Sequence, residues 1–192
     1  MTFSQELRKK ADSLWQAQKE HPFVVGLATG ELPLEKFRYY MCQDYAYLIA
    51  YSRVFALGAA KGQGLSTMTL FANLLAATLN EEMSLHRQYA AQFGITPEEL
   101  EATRLAPTAY AYSRHLLATA YEGGLPEILA AILPCQWGYN EIALHLKETY
   151  PGWEKSPYAE WIRTYISDSF AQLGAVIREE LPGPVVAAGM VM

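Results

Sequence analysis

The chain has 192 residues, 51% of them hydrophobic, and 20 acidic side chains against 15 Lys and Arg leave a formal charge of -5. That length fits one domain with a sizeable core. The acidic balance, with no basic cluster, argues against phosphate-neutralising contacts to nucleic acid, and no apolar run approaches the roughly 20 residues of a membrane span.

Apolar residues recur three or four apart and no period-2 alternation is sustained, so the predicted fold class is all-α. The polar N-terminus lacks the apolar middle of a secretory signal, and Cys42 and Cys135 have neither disulfide-framework nor zinc spacing. Both features predict a protein that stays in the cytoplasm with reduced thiols.

Ser4 is a competent N-cap for a first helix that carries Leu7, Ala11, Leu14 and Trp15 as far as His21 and Pro22. A short helix over 23–28 ends at Gly30, and Pro33 opens a long one to about Lys61, where Gly62 and Gly64 break the chain. The next helix is predicted from Ser66 to about Phe93, closed by Gly94, and Thr96 with Pro97 starts a shorter one. After Pro107, a helix over 109–122 stops at Gly123 and Gly124, and another runs from Leu125 to Tyr150 with Pro134 inside it, where a kink is expected. Pro157 starts a last helix to about Glu180, and Pro182, Gly183 and Pro184 end regular structure before an irregular apolar tail, the whole of 1–192 forming a single domain. Long helices joined by Gly/Pro breaks suit a bundle with sites between facing helices.

Pro134 frees a backbone carbonyl and aims Cys135 toward a cavity, and Tyr139, four residues on, shares its face. The alternative is that Cys135 is one more small buried hydrophobe, since reactivity requires a lowered thiol pKa. Asp44 stands in mid-helix with Tyr40, Tyr47, Leu48 and Tyr51 at helical spacing. A carboxylate on such a face needs an internal partner or a ligand with donors, unless it is solvated. Thirteen tyrosines against seven phenylalanines point to a polar cavity, because buried hydroxyls each need a partner. Flat rings and one acid suit a planar heteroaromatic ligand that donates a hydrogen bond from an amino group or a ring N–H.

Glu82 and His86 are four apart, a spacing that di-metal bundles use, but no second acid–histidine pair accompanies them, so a Glu–His contact is the favoured reading and a di-metal oxidase the minor one. His21, His115 and His145 have no partners at motif spacing, and neither a phosphate loop nor a GxSxG elbow occurs.

Four blocks in order, His21 to Val24, Gln43 to Leu48, Leu133 to Tyr139 and Trp161 to Tyr165, resemble the TenA/thiaminase II signature over about residues 3–180. The resemblance implies a heme-oxygenase-like helical bundle, a homotetramer, and hydrolysis of thiamin or its aminopyrimidine breakdown products to hydroxymethylpyrimidine in thiamin salvage. It implies neither metal nor organic cofactor, and no partner beyond the small molecule and further copies of the chain. By the same resemblance Cys135 is the nucleophile and Asp44 orients the pyrimidine through its amino group and adjacent ring nitrogen. Tyr47, Tyr112, Tyr139 and Tyr165 match the substrate-binding positions. The family's last helix, with its acid/base glutamate, has no counterpart before Met192, so the alternative is a thiamin-pyrimidine binding protein of weak or no turnover. DNA-binding regulation has little support in an acidic chain without a DNA-reading motif.

Overall fold

A computed structural model describes residues 1–181, and every regular element among them is helical. The apolar tail expected beyond Leu181 lies outside the described residues. The chain divides into two compact units, one built from residues 1–33 and those from 129 onward, the other from 34–128.

In the first unit, α1 (Phe3–Lys10) is capped not by Ser4 but two residues earlier, by Thr2, whose side chain and that of Gln5 form a reciprocal capping box. The single helix expected up to His21 is two, because Ala11 leaves helical geometry (φ -95°, ψ 9°) before α2 (Asp12–Lys19). In α3 (Pro22–Thr29) proline occupies the first turn, His21 Nδ1 accepts from the Phe23 N–H, and Gly30 ends the helix at φ +77°, a conformation that glycine adopts without strain.

The long α9 (Leu125–Thr149) continues through Pro134 as one helix. After it come a 3-10 turn (Trp153–Lys155), α10 (Ala159–Tyr165) and α11 (Asp168–Glu180). The sequence reading had one helix from Pro157 to Glu180; the break falls where the Ser167 side chain caps the Phe170 N–H and starts a fresh helix. Ser156 and Tyr158 donate to the Leu27 and Leu32 carbonyls, both at 2.6 Å, tying the 3-10 segment to α3. The unit's core is Leu27, Ile132, Leu146, Ile162 and Ile177, each fully buried.

The second unit is organised by α4 (Leu34–Lys61), which packs against α5 (Leu65–Ala77) and α8 (Pro107–Glu122). Gly58 permits the close α4–α5 approach, since a Cβ there would lie 2.3 Å from the Phe71 ring. The helix expected from Ser66 to Phe93 is continuous but not uniform: α5 passes through a π turn at Thr78–Glu82 into α6 (Met83–Gln92). Thr96 caps α7 (Pro97–Glu101) with a capping box, and Pro107 itself opens α8. Phe37, Met41, Val54, Phe55, Phe71 and Leu116 form this unit's core.

Candidate active site

Asp44 projects from the middle of α4, where Phe37, Met41, Tyr45 and Leu48 bury the neighbouring helix face. Its Oδ2 accepts from the Tyr40 hydroxyl at 3.2 Å, one turn earlier on the same helix. Across from it, His86 of α6 places Nδ1 at 3.8 Å, and the two side chains are only 10% and 9% exposed. The other ring nitrogen of His86, Nε2, lies 2.8 Å from the Met41 carbonyl oxygen. A carbonyl only accepts, so Nε2 carries a hydrogen and Nδ1 is the position at which a second proton would meet Asp44.

Burial pushes the Asp44 carboxyl above the usual carboxylate range, opposed by His86 and by the Tyr40 hydrogen bond. Glu82 closes the π turn one helical turn before His86. Burial, reinforced by the Asp44 charge, pushes its carboxyl up to about 7 against an opposing hydrogen bond with Thr78. Thus His86 faces Asp44 and Met41, while Glu82 engages Thr78. Among the described residues no three His, Cys, Asp or Glu side chains gather to hold a metal ion.

Of the expected ring-binding tyrosines, Tyr47 and Tyr112 come together in this unit, stacked 5.7 Å apart with an interplanar angle of 11°. Tyr51 stacks on the same Tyr47 ring at 5.3 Å. The three rings make an aromatic wall along α4 and α8, and Tyr112 retains 37% exposure. The other two, Tyr139 and Tyr165, meet in the first unit at 4.7 Å, with Trp161 4.7 Å from Tyr165 and 5.9 Å from Tyr139. Asn140 donates to the Tyr165 carbonyl at 2.7 Å, locking the end of α10 to α9. Cys135 sits one turn before Tyr139 on α9 and is partly exposed. The sequence reading missed the pairing of His86 with Asp44, because helical spacing reveals neighbours on one helix and not partners on another.

A model of the TENA/THI-4/PQQC family matches residues 8–179. The chain belongs to that family. It is 49% identical over 174 residues to the aminopyrimidine aminohydrolase of Halalkalibacterium halodurans, covering 90% of this chain and 77% of that one. It is 40% identical over 172 residues to the Bacillus subtilis protein of the same name, covering 90% and 72%. Among solved structures, a TenA family transcription regulator from Silicibacter sp. superposes with a TM-score of 0.88 at 36% identity, over 94% of this chain and 79% of that one. A TenA homologue from Pyrococcus horikoshii superposes equally well, at 31% identity over 94% and 84%. The all-helical TenA-type fold expected from the sequence is the fold observed. No described helix is long and apolar enough to cross a membrane.

Proposed function

We propose that this member of the TenA family is an aminopyrimidine or thiamin C–N hydrolase acting in thiamin salvage. The observation that carries the reading is the desolvated Asp44 carboxylate, held by Tyr40 and His86 in the same unit as the parallel Tyr47 and Tyr112 rings. An acid that accepts from an amino group, together with flat rings that stack on a heterocycle, selects an aminopyrimidine. Relatives named aminopyrimidine aminohydrolase support the same substrate class.

In this reading the Cys135 thiolate adds to the pyrimidine ring, forming a C–S bond while the ring takes up the electron pair. That pair expels the amine from the exocyclic carbon, water adds at that carbon, and the thiolate departs as the ring is restored. Aminomethylpyrimidine and water thus become hydroxymethylpyrimidine and ammonia. Asp44 accepts from the ring's amino group throughout, and Tyr47, Tyr112, Tyr139 and Tyr165 are the binding tyrosines. No organic cofactor or metal enters these steps. The chain acts as one functional domain, and a cytoplasmic, self-associated form, tetrameric by resemblance, belongs to the same proposal.

The test is hydroxymethylpyrimidine release from aminomethylpyrimidine or thiamin by the purified protein. Release that disappears in Cys135→Ala supports the reading; saturable binding without product, unchanged by Cys135→Ser, overturns it.

A further inference from the structure

A carboxylate has two equivalent oxygens, and the torsion that exchanges them is broad and two-fold, so a ligand meets a defined oxygen only where other partners tell the two apart. Asp44 has such partners, and both fall on one atom. The Tyr40 hydroxyl donates to Oδ2 at 3.2 Å, and His86 Nδ1 stands 3.8 Å from the same oxygen. The carboxylate is thereby divided: Oδ2 is engaged by the protein and Oδ1 is left to a ligand.

The two partners come from different places. Tyr40 belongs to Asp44's own helix, whereas His86 belongs to α6 and ties the carboxyl to a second element. The imidazole is itself held. Its Nε2 lies 2.8 Å from the Met41 carbonyl oxygen, the buried Tyr45 ring packs 6.0 Å from it at 43°, and its side chain is 9% exposed. Met41 and Asp44 are three residues apart and share a face of α4, so one ring spans that face from backbone to carboxyl. The carbonyl fixes a hydrogen on Nε2, which leaves Nδ1 as the atom turned to Asp44. A bare lone pair there would repel Oδ2, so the arrangement calls for a proton between the two groups; at 3.8 Å it is an ion-pair contact and not a close hydrogen bond. The adjoining polar groups are engaged elsewhere, Arg87 with Ser84 and Tyr45, and Tyr45 with Glu101.

We propose that His86 is a positioning residue for the pyrimidine: anchored through Nε2 on the Met41 carbonyl, and with one proton held between Nδ1 and Oδ2, it fixes the Asp44 carboxyl so that Oδ1 accepts from the ligand's amino group. The inference rests on the functional reading above and adds to it a residue that acts through Asp44 without touching the substrate. Without the imidazole Asp44 loses its tie to α6, the carboxyl turns, and the amino group no longer meets a preset acceptor. The loss is confined to that group, because a pyrimidine without it takes nothing from Oδ1.

Two measurements test this. The first compares the affinities of hydroxymethylpyrimidine and of the analogue that carries hydrogen in place of the amino group. His86→Ala weakens the amino compound on the order of tenfold and leaves the analogue within about twofold. An equal loss for both, which general loosening of the helices would produce, overturns the proposal, as does no loss for either. The second is the nitrogen-15 spectrum of the His86 ring in the whole protein, which needs no folded His86 variant. Nε2 bears a hydrogen, and the Nδ1 resonance lies away from that of a bare lone pair and moves to it in Asp44→Ala. A bare Nε2 or a bare Nδ1 in the wild-type protein, or an Nδ1 resonance that Asp44→Ala leaves in place, overturns the proposal. A wild-type protein that binds both pyrimidines alike, or neither, overturns the functional reading instead, and the spectrum then decides the His86–Asp44 contact by itself.

Discussion

His86 Nδ1 lies 3.8 Å from Asp44 Oδ2 while its Nε2 is committed to the Met41 carbonyl at 2.8 Å. A neutral ring with hydrogen on Nε2 turns a lone pair toward the carboxylate, so the contact becomes attractive only with a proton between the two groups. Asp44→Asn is expected to lower kcat/KM for aminomethylpyrimidine by about 10- to 100-fold, the weight of a hydrogen bond to a charged group, with product release as the assay.

The imidazole also has a structural task. In His86→Ala the Met41 carbonyl loses its donor and Asp44 its facing partner. Urea unfolding should show a loss of about 1–3 kcal/mol. His86→Asn, which keeps a donor, should recover part of it.

Stability should also respond to pH through Glu82. Its folded-state value of about 7 stands above the ordinary 4.5, so the folded protein holds a proton that the unfolded chain has already released. The penalty is absent below pH 4.5, grows between 4.5 and 7, and is fully present above 7, reaching on the order of 3 kcal/mol. Glu82→Gln should remove it, so the variant's advantage in melting temperature over wild type should be larger at pH 8 than at pH 5.

Arg8 is the polar anchor of the first unit. It donates to Glu141 at 3.0 and 3.2 Å, to Asp12 at 2.7 Å, and stacks over Trp15 at 4.2 Å while only 13% exposed. Arg8→Lys preserves charge but not the planar fork, and should cost about 1–2 kcal/mol in denaturant unfolding.

Gly58→Ala should be as damaging as a core truncation. Its added methyl would lie 2.3 Å from the fully buried ring of Phe71, which has no open side to move into. A loss of about 1–3 kcal/mol is expected from thermal unfolding, with partial rescue by Phe71→Leu.

The sequence by itself determined the helical class, most helix positions and the family. Apolar spacing, proline at first turns and glycine at ends are local signals, and Gly30 or Thr96 states its role within a few residues. Local signals also misled: Ser4 looked like the first cap although Thr2 serves, and Ser167 was passed over as the start of a separate helix. Asp44 and the tyrosine excess marked a polar, aromatic site without naming its internal partners. That His86 meets Asp44, that Tyr112 stacks on Tyr47, and that a π turn presents Glu82 were decided only by the tertiary structure. Each depends on which helix faces which, and periodicity along one helix carries no information about the side chains that packing brings to it from another.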